Sequence, residues 1–158
     1  MSIDIKRRLF LKGSVAAGAV GVAFGAGVLT PGQVLAAWPK DAFEAKDYDG
    51  ALTALMGGAG AEQSAEVDVK APEIAENGAV VPITISTAME GVESIAIMAP
   101  NNPIPLVANF VMGAGALGYA STRIKMGKTG DVIGVVKAGG KLYKASKEVK
   151  VTIGGCGG

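Results

Sequence analysis

Residues 66–86 read EVDVKAPEIAENGAVVPITIS, and the spacing of the apolar side chains in this stretch decides the fold. Val67 and Val69 alternate with Glu66, Asp68 and Lys70, and Val81, Ile83 and Ile85 alternate with Pro82, Thr84 and Ser86. Successive strand residues point to opposite faces, so a period of two marks two strands, each with one buried face. Asn77-Gly78 between them is a turn signal.

The same pattern continues towards the C-terminus. Glu93–Ala99, Leu106–Met112, Tyr119–Met126, Asp131–Lys137 and Lys141–Ile153 are further strand candidates, the last two joined by Gly139-Gly140. Seven short strands predict a mainly β protein built as a β-sandwich. In the last strand Val149, Val151 and Ile153 share one face, with Lys144 and Lys150 opposite as a solvated row.

Upstream the period changes. Asp41, with Glu44 three residues on, resembles a capping pattern. The apolar positions Ala45, Tyr48, Leu52, Leu55 and Met56 then predict one short amphipathic helix, stopped by Gly57, Gly58 and Gly60. Residues 37–61 are read as this helix and a connector, and 62–153 as the sandwich.

The first 36 residues read as a targeting segment. Arg7 and Arg8 sit in KRRLFLK, ahead of an uncharged Gly/Ala-rich run and the small residues around Ala36, which is the pattern of a Tat export signal cleaved after Ala36. The run is too weakly apolar for a permanent membrane anchor. Cleavage removes four basic residues and one acid, taking the net charge from +1 to −2. A mildly acidic chain with 5% aromatic residues lacks the basic face that nucleic-acid binding requires.

Residues 154–158 read Gly154-Gly155-Cys156-Gly157-Gly158 and hold the single cysteine. Glycines on both sides leave no side chain to pack and a wide choice of backbone torsions, so this is an arm carrying a thiol. Three extended residues would carry the sulfur about 10 Å beyond the sandwich. One cysteine cannot close an internal disulfide. With no neighbouring base or cation, its pKa is expected near the ordinary thiol value of about 8.5, which suits a handle better than a catalyst.

Other chemistry is sparse. The chain has no histidine, which removes imidazole as base or metal ligand, so no catalytic residue, metal or cofactor is assigned. Asp41, Glu44, Asp47, Asp49, Glu73 and Glu76 read as surface charges. Gly113, Gly115 and Gly118 match GxGxxG, with Asp131 loosely placed as the acidic partner. The strand-like run Tyr119–Ile124 follows where a dinucleotide site needs a helix, so a glycine-rich hairpin loop is expected. Asn101-Asn102-Pro103-Ile104-Pro105 reads as a stiff loop exposing Ile104 and Leu106.

The residues leave three classes open: a covalent carrier, a thiol-dependent sulfurtransferase, and a structural module crosslinked through its cysteine. The run Val151-Thr152-Ile153-Gly154-Gly155-Cys156-Gly157-Gly158, the twin arginines, Asn102-Pro103-Ile104-Pro105, Arg123-Ile124-Lys125-Met126 and Gly140-Lys141-Leu142-Tyr143-Lys144-Ala145-Ser146 together resemble the SoxY family. That resemblance implies an immunoglobulin-like β-sandwich serving as a periplasmic, non-catalytic sulfur carrier of thiosulfate oxidation, with Cys156 as the covalent attachment site. It implies a heterodimer with a second sandwich subunit, SoxZ. Transient visits would come from the c-type cytochrome complex SoxAX and the sulfate-releasing hydrolase SoxB, with intermediates held on Cys156 and no other cofactor.

Overall fold

A computed structural model describes residues 39–57 and 60–152, all within the unit Pro39–Gly158. Among the described residues two helices come first, α1 (Lys40–Glu44) and α2 (Tyr48–Met56). Nine strands follow: β1 (Glu62–Gln63), β2 (Val67–Lys70), β3 (Ile74–Ala75), β4 (Val81–Thr87), β5 (Val92–Met98), β6 (Leu106–Val111), β7 (Tyr119–Ile124), β8 (Gly130–Ala138) and β9 (Lys141–Val151).

All seven expected strands form, and β1 and β3 are additional. Each has two residues, too few to display a period, and each pairs in parallel with one edge of β9. The larger sheet runs β1-β9-β8-β5-β6, with β3 also on β9, and the smaller runs β2-β4-β7. Apart from β1 and β3, neighbouring strands are antiparallel.

The period-two faces meet between the sheets. Val67, Val69, Val81, Ile83 and Ile85 from the smaller sheet pack against Ile95, Ile97, Val132, Val136 and Val149 from the larger one. Gly134 of β8 makes this contact possible, because a Cβ there would lie 2.7 Å from Ile85 Cδ1. The Gly139-Gly140 hairpin has φ of +56° and +74°, the paired left-handed conformation of a tight two-residue turn matched to sheet twist.

The helical layer departs from the one-helix expectation. Asp41 lies within the first turn of α1, whose N-cap is Pro39, and Ala45 leaves the helix at ψ 143°. Asp47 then opens α2: its carboxylate accepts the Gly50 N–H at 2.7 Å, satisfying a donor that a helix start leaves orphaned. That second cap divides the segment in two. Gly57, at φ +83°, ends α2 by donating its N–H to the Thr53 carbonyl.

The helices cover the outer face of the larger sheet. Ala51 and Leu52 pack with Ala96, Met98, Leu106 and Val135 into a second core. Strand β5 is consequently buried on both faces from Ser94 to Met98. Leu106, expected at the surface, is buried by this layer, whereas Ile104 is exposed as expected. Lys144 likewise leaves the solvated row and sits 5.6 Å from the Tyr48 ring centroid, while Lys150 remains exposed.

The glycine-rich loop is a crossover rather than a hairpin. β6 belongs to the larger sheet and β7 to the smaller, so residues 112–118 carry the chain from one to the other. No helix follows them.

Candidate functional site: the root of the C-terminal arm

The cysteine segment leaves from β9, so the chemistry of the site begins with what holds that strand's end. Both edges are held. On one, the Lys150 N–H donates to the Glu73 carbonyl at 2.9 Å and the Thr152 N–H to the Ala75 carbonyl at 3.1 Å. On the other, the Val151 N–H donates to Thr129 Oγ1 at 2.9 Å, and that hydroxyl donates back to the Val151 carbonyl at 3.4 Å. Every backbone N–H from Lys150 to Thr152 therefore has a partner.

The loops around this pole brace one another. Asn101 Nδ2 donates to the Thr129 carbonyl at 2.8 Å, and Asn102 Nδ2 to the Lys125 carbonyl at 2.8 Å. The Gly127 N–H donates to Asn102 Oδ1 at 3.1 Å. Gly130 leaves room for this strap, since a Cβ there would come within 2.8 Å of Asn101 Cγ. Pro105 is buried and its carbonyl accepts the Ala99 N–H, closing the loop. Residues 101–105 are thus the brace behind Thr129, which in turn holds Val151.

Gly78 completes the root. Its carbonyl accepts the Met126 N–H at 2.7 Å, and its Cα packs so closely on Met126 and Val151 that a side chain has no space. Asn77 shapes the turn by accepting the Ala79 N–H on its side-chain oxygen at 2.9 Å. Beside the exit, a shallow depression of about 230 Å³ is lined by Glu73, Ile74, Glu148 and Lys150.

Ile153, Gly154, Gly155, Cys156, Gly157 and Gly158 lie outside the described residues, as do Arg7, Arg8 and the expected cleavage site. The surface carboxylates Asp41, Glu44, Asp47, Asp49, Glu73 and Glu76 are exposed. Gly113, Gly115 and Gly118 sit at the opposite pole from Asp131, which neighbours Gly130 and the arm's root, so the GxGxxG partners are not brought together. Gly118 instead packs against Thr87, and Gly115 turns at φ +77°. Among the described residues no three His, Cys, Asp or Glu side chains are grouped to hold a metal ion.

Thr129, Glu73 and Ala75 were not legible as arm-holding residues. Thr129 is one polar residue in a polar loop, and Glu73 and Ala75 act through backbone carbonyls, which no side-chain pattern reports. Asn101 and Asn102 stood out in sequence, but their partners lie 28 and 23 positions away.

Fold and site define a class: an immunoglobulin-like β-sandwich whose C-terminal extension is rooted on its last strand. The family of sulfur oxidation protein SoxY matches residues 52–156. The chain belongs to the SoxY family. It is similar to the solved structure of the sulfur carrier protein SoxY from Chlorobium limicola f thiosulfatophilum at 46% identity and a TM-score of 0.61, covering 66% of this chain and 96% of that one. A superoxide reductase (neelaredoxin) from Ignicoccus hospitalis aligns at 18% identity with a TM-score of 0.48, over 54% of this chain and 80% of that one. Among curated proteins nothing matches the chain.

Proposed function

We propose that this chain is a non-catalytic sulfur carrier of periplasmic thiosulfate oxidation, with Cys156 as the atom to which the cargo is bonded. The observation that carries the reading is the span of the SoxY match, which runs through residue 156, the chain's only cysteine. The root described above supports it: a strand hydrogen-bonded through Thr152 presents whatever follows from a defined point.

The chemistry is supplied by visitors. Oxidative coupling joins the Cys156 thiolate to the sulfane sulfur of thiosulfate, and two electrons pass to the c-type cytochrome complex SoxAX. The product is a cysteine S-thiosulfonate. The hydrolase SoxB then adds water across the terminal S–S bond, releasing sulfate and two protons and leaving a cysteine persulfide. This chain contributes the sulfur atom, the reach of Gly154 and Gly155, and the slimness of Gly157 and Gly158, which lets tail and cargo share a narrow channel. A second sandwich subunit, SoxZ, completes the carrier, and the Arg7-Arg8 signal exports the folded pair. Among the described residues no helix is long and apolar enough to cross a membrane.

Intact-mass measurement of the mature protein, isolated from cells oxidising thiosulfate, tests the reading. Sulfur and sulfonate adducts removed by reductant and absent from Cys156→Ser are expected. A mass spectrum showing only unmodified chain or disulfide-linked dimers would sink the carrier role. Arg7→Lys with Arg8→Lys is expected to leave the chain and SoxZ in the cytoplasm.

A further inference from the structure

The last backbone donors of β9 alternate between two sides. The Lys150 and Thr152 N–H groups point to the β3 side, and the Val151 N–H between them points towards β8. Strand β8 begins at Gly130, which pairs with Val149, so the register carried two residues further would set Val151 opposite Lys128. The ladder stops at Gly130 instead. Thr129 Oγ1 takes over there, accepting the Val151 N–H at 2.9 Å and donating to the Val151 carbonyl at 3.4 Å. One hydroxyl thus stands in for the two backbone groups that a longer β8 would have supplied.

Among the described residues that bond the backbone of Lys150, Val151 and Thr152, Thr129 is the one that does so through its side chain. Glu73 and Ala75 offer main-chain carbonyls. The β3 side is slight on its own, being two residues long with Ile74 58% exposed, and so short a pairing is marginal in water. The hydroxyl is fixed from behind, because the Thr129 carbonyl accepts Asn101 Nδ2 at 2.8 Å and Gly130 leaves room for that side chain.

We propose that Thr129 is a positioning residue that sets the free length of the thiol-bearing arm. This rests on the carrier reading above. With Val151 held, the chain is anchored at Thr152, four residues before Cys156, and the reach of the sulfur is bounded at roughly 13 Å. Without the hydroxyl, Val151 has no partner on the β8 side and the anchor retreats to Lys150, six residues before Cys156, for a reach of roughly 20 Å. A longer tether spreads the thiol over a larger volume, and two more backbone residues must be ordered each time the arm enters a visiting enzyme. Both effects oppose association and leave the bond-breaking step untouched.

The test is steady-state release of sulfate by the hydrolase SoxB, with the mature chain and SoxZ loaded as the Cys156 S-thiosulfonate and varied in concentration. Thr129→Val is expected to raise KM about tenfold, the equivalent of about 1.4 kcal/mol, at unchanged kcat. Thr129→Ser keeps the hydroxyl and is expected to restore the wild-type KM. Hydrogen exchange should quicken at the Val151 amide of Thr129→Val while the β5 amides keep their protection. Should Thr129→Val fail to fold, Thr129→Ala is read in the same way. A wild-type KM in the variant lacking the hydroxyl overturns the proposal, whether or not Val151 has lost protection. So does a fall in kcat at constant KM, or a raised KM that serine does not restore. A wild-type loaded chain from which the hydrolase releases no sulfate overturns the carrier reading, and the role of Thr129 with it.

Discussion

Gly78→Ala tests whether the arm's root is as closely packed as its geometry indicates. The φ of Gly78 is not positive, so alanine meets no intrinsic backbone penalty and the cost is purely one of space. The added Cβ would fall inside contact distance of the Met126 carbonyl oxygen and 2.8 Å from Val151 Cγ1. A carbonyl held in a braced loop cannot swing aside as a flexible side chain would. Relief requires the turn to separate from Met126, which gives up the 2.7 Å Met126–Gly78 hydrogen bond. Overpacking of about 1–3 kcal/mol and a lost bond worth about 1 kcal/mol sum to roughly 2–4 kcal/mol. At about 4 °C per kcal/mol for a domain of this size, the melting temperature should fall by roughly 8–16 °C. Urea denaturation gives the free energy, and hydrogen exchange locates it: the Val151 and Thr152 amides should lose protection before those of β5. Gly127→Ala, in the same loop with nothing within 4 Å, is the control and should be neutral or stabilising by up to about 1 kcal/mol. Equal stabilities for the two variants would refute the argument that close approach, rather than torsion, requires glycine at position 78.

Three further outcomes follow from the fold. Leu52→Ala should cost about 2–5 kcal/mol in denaturant and do so in a single transition, since Leu52 belongs to the core that α2 shares with β5 and β8; a separate early transition would show that the helices dock independently. Glu93 accepts the Gly140 N–H at 2.9 Å and pairs with Lys137 at 3.1 Å, and these hold its carboxyl below the ordinary value. Its contribution is therefore present above the unfolded-state pKa and lost as pH falls through the lower folded-state one, so Glu93→Gln should flatten the acid limb of stability against pH; an unchanged limb would remove Glu93 from that account. Tyr48 has a buried hydroxyl with no partner among the described residues, and burial followed by the Asp49 charge raises its pKa. Tyr48→Phe should be neutral or stabilising by up to about 1 kcal/mol, and it should remove a loss of stability that begins as pH rises past the unfolded tyrosine value; clear destabilisation at neutral pH would mean that the hydroxyl is satisfied after all.

Strands were legible where burial is one-sided. Val67, Val69, Val81, Ile83 and Ile85 show a clean period of two because each alternate residue meets either core or water. β5 blurs that signal, because Ser94, Ala96 and Met98 are buried under the helices while Ile95 and Ile97 face the other sheet. The break between α1 and α2 turns on one carboxylate: Asp41 and Asp47 are both plausible caps, and only the path of the chain shows that Asp47 is used. The loop at residues 112–118 looked like a hairpin because its neighbours are both strands, and no residue in it reports that they belong to different sheets.

By itself, the sequence determined that the chain alternates into strands, that Gly139-Gly140 reverses it, that Val149 and Val151 face inward, and that the lone cysteine lies beyond them among glycines. These are local properties, set by side-chain polarity and backbone freedom within a few residues. The tertiary structure decided which strands share a sheet, that helices bury the outer face of the larger one, and that Glu73, Ala75, Gly78 and Thr129 grip the end of β9. Backbone hydrogen bonds carry no residue label, and steric fit is defined only once distant segments meet. The identity of the thiol could therefore be read directly, whereas the foundation it is launched from could not.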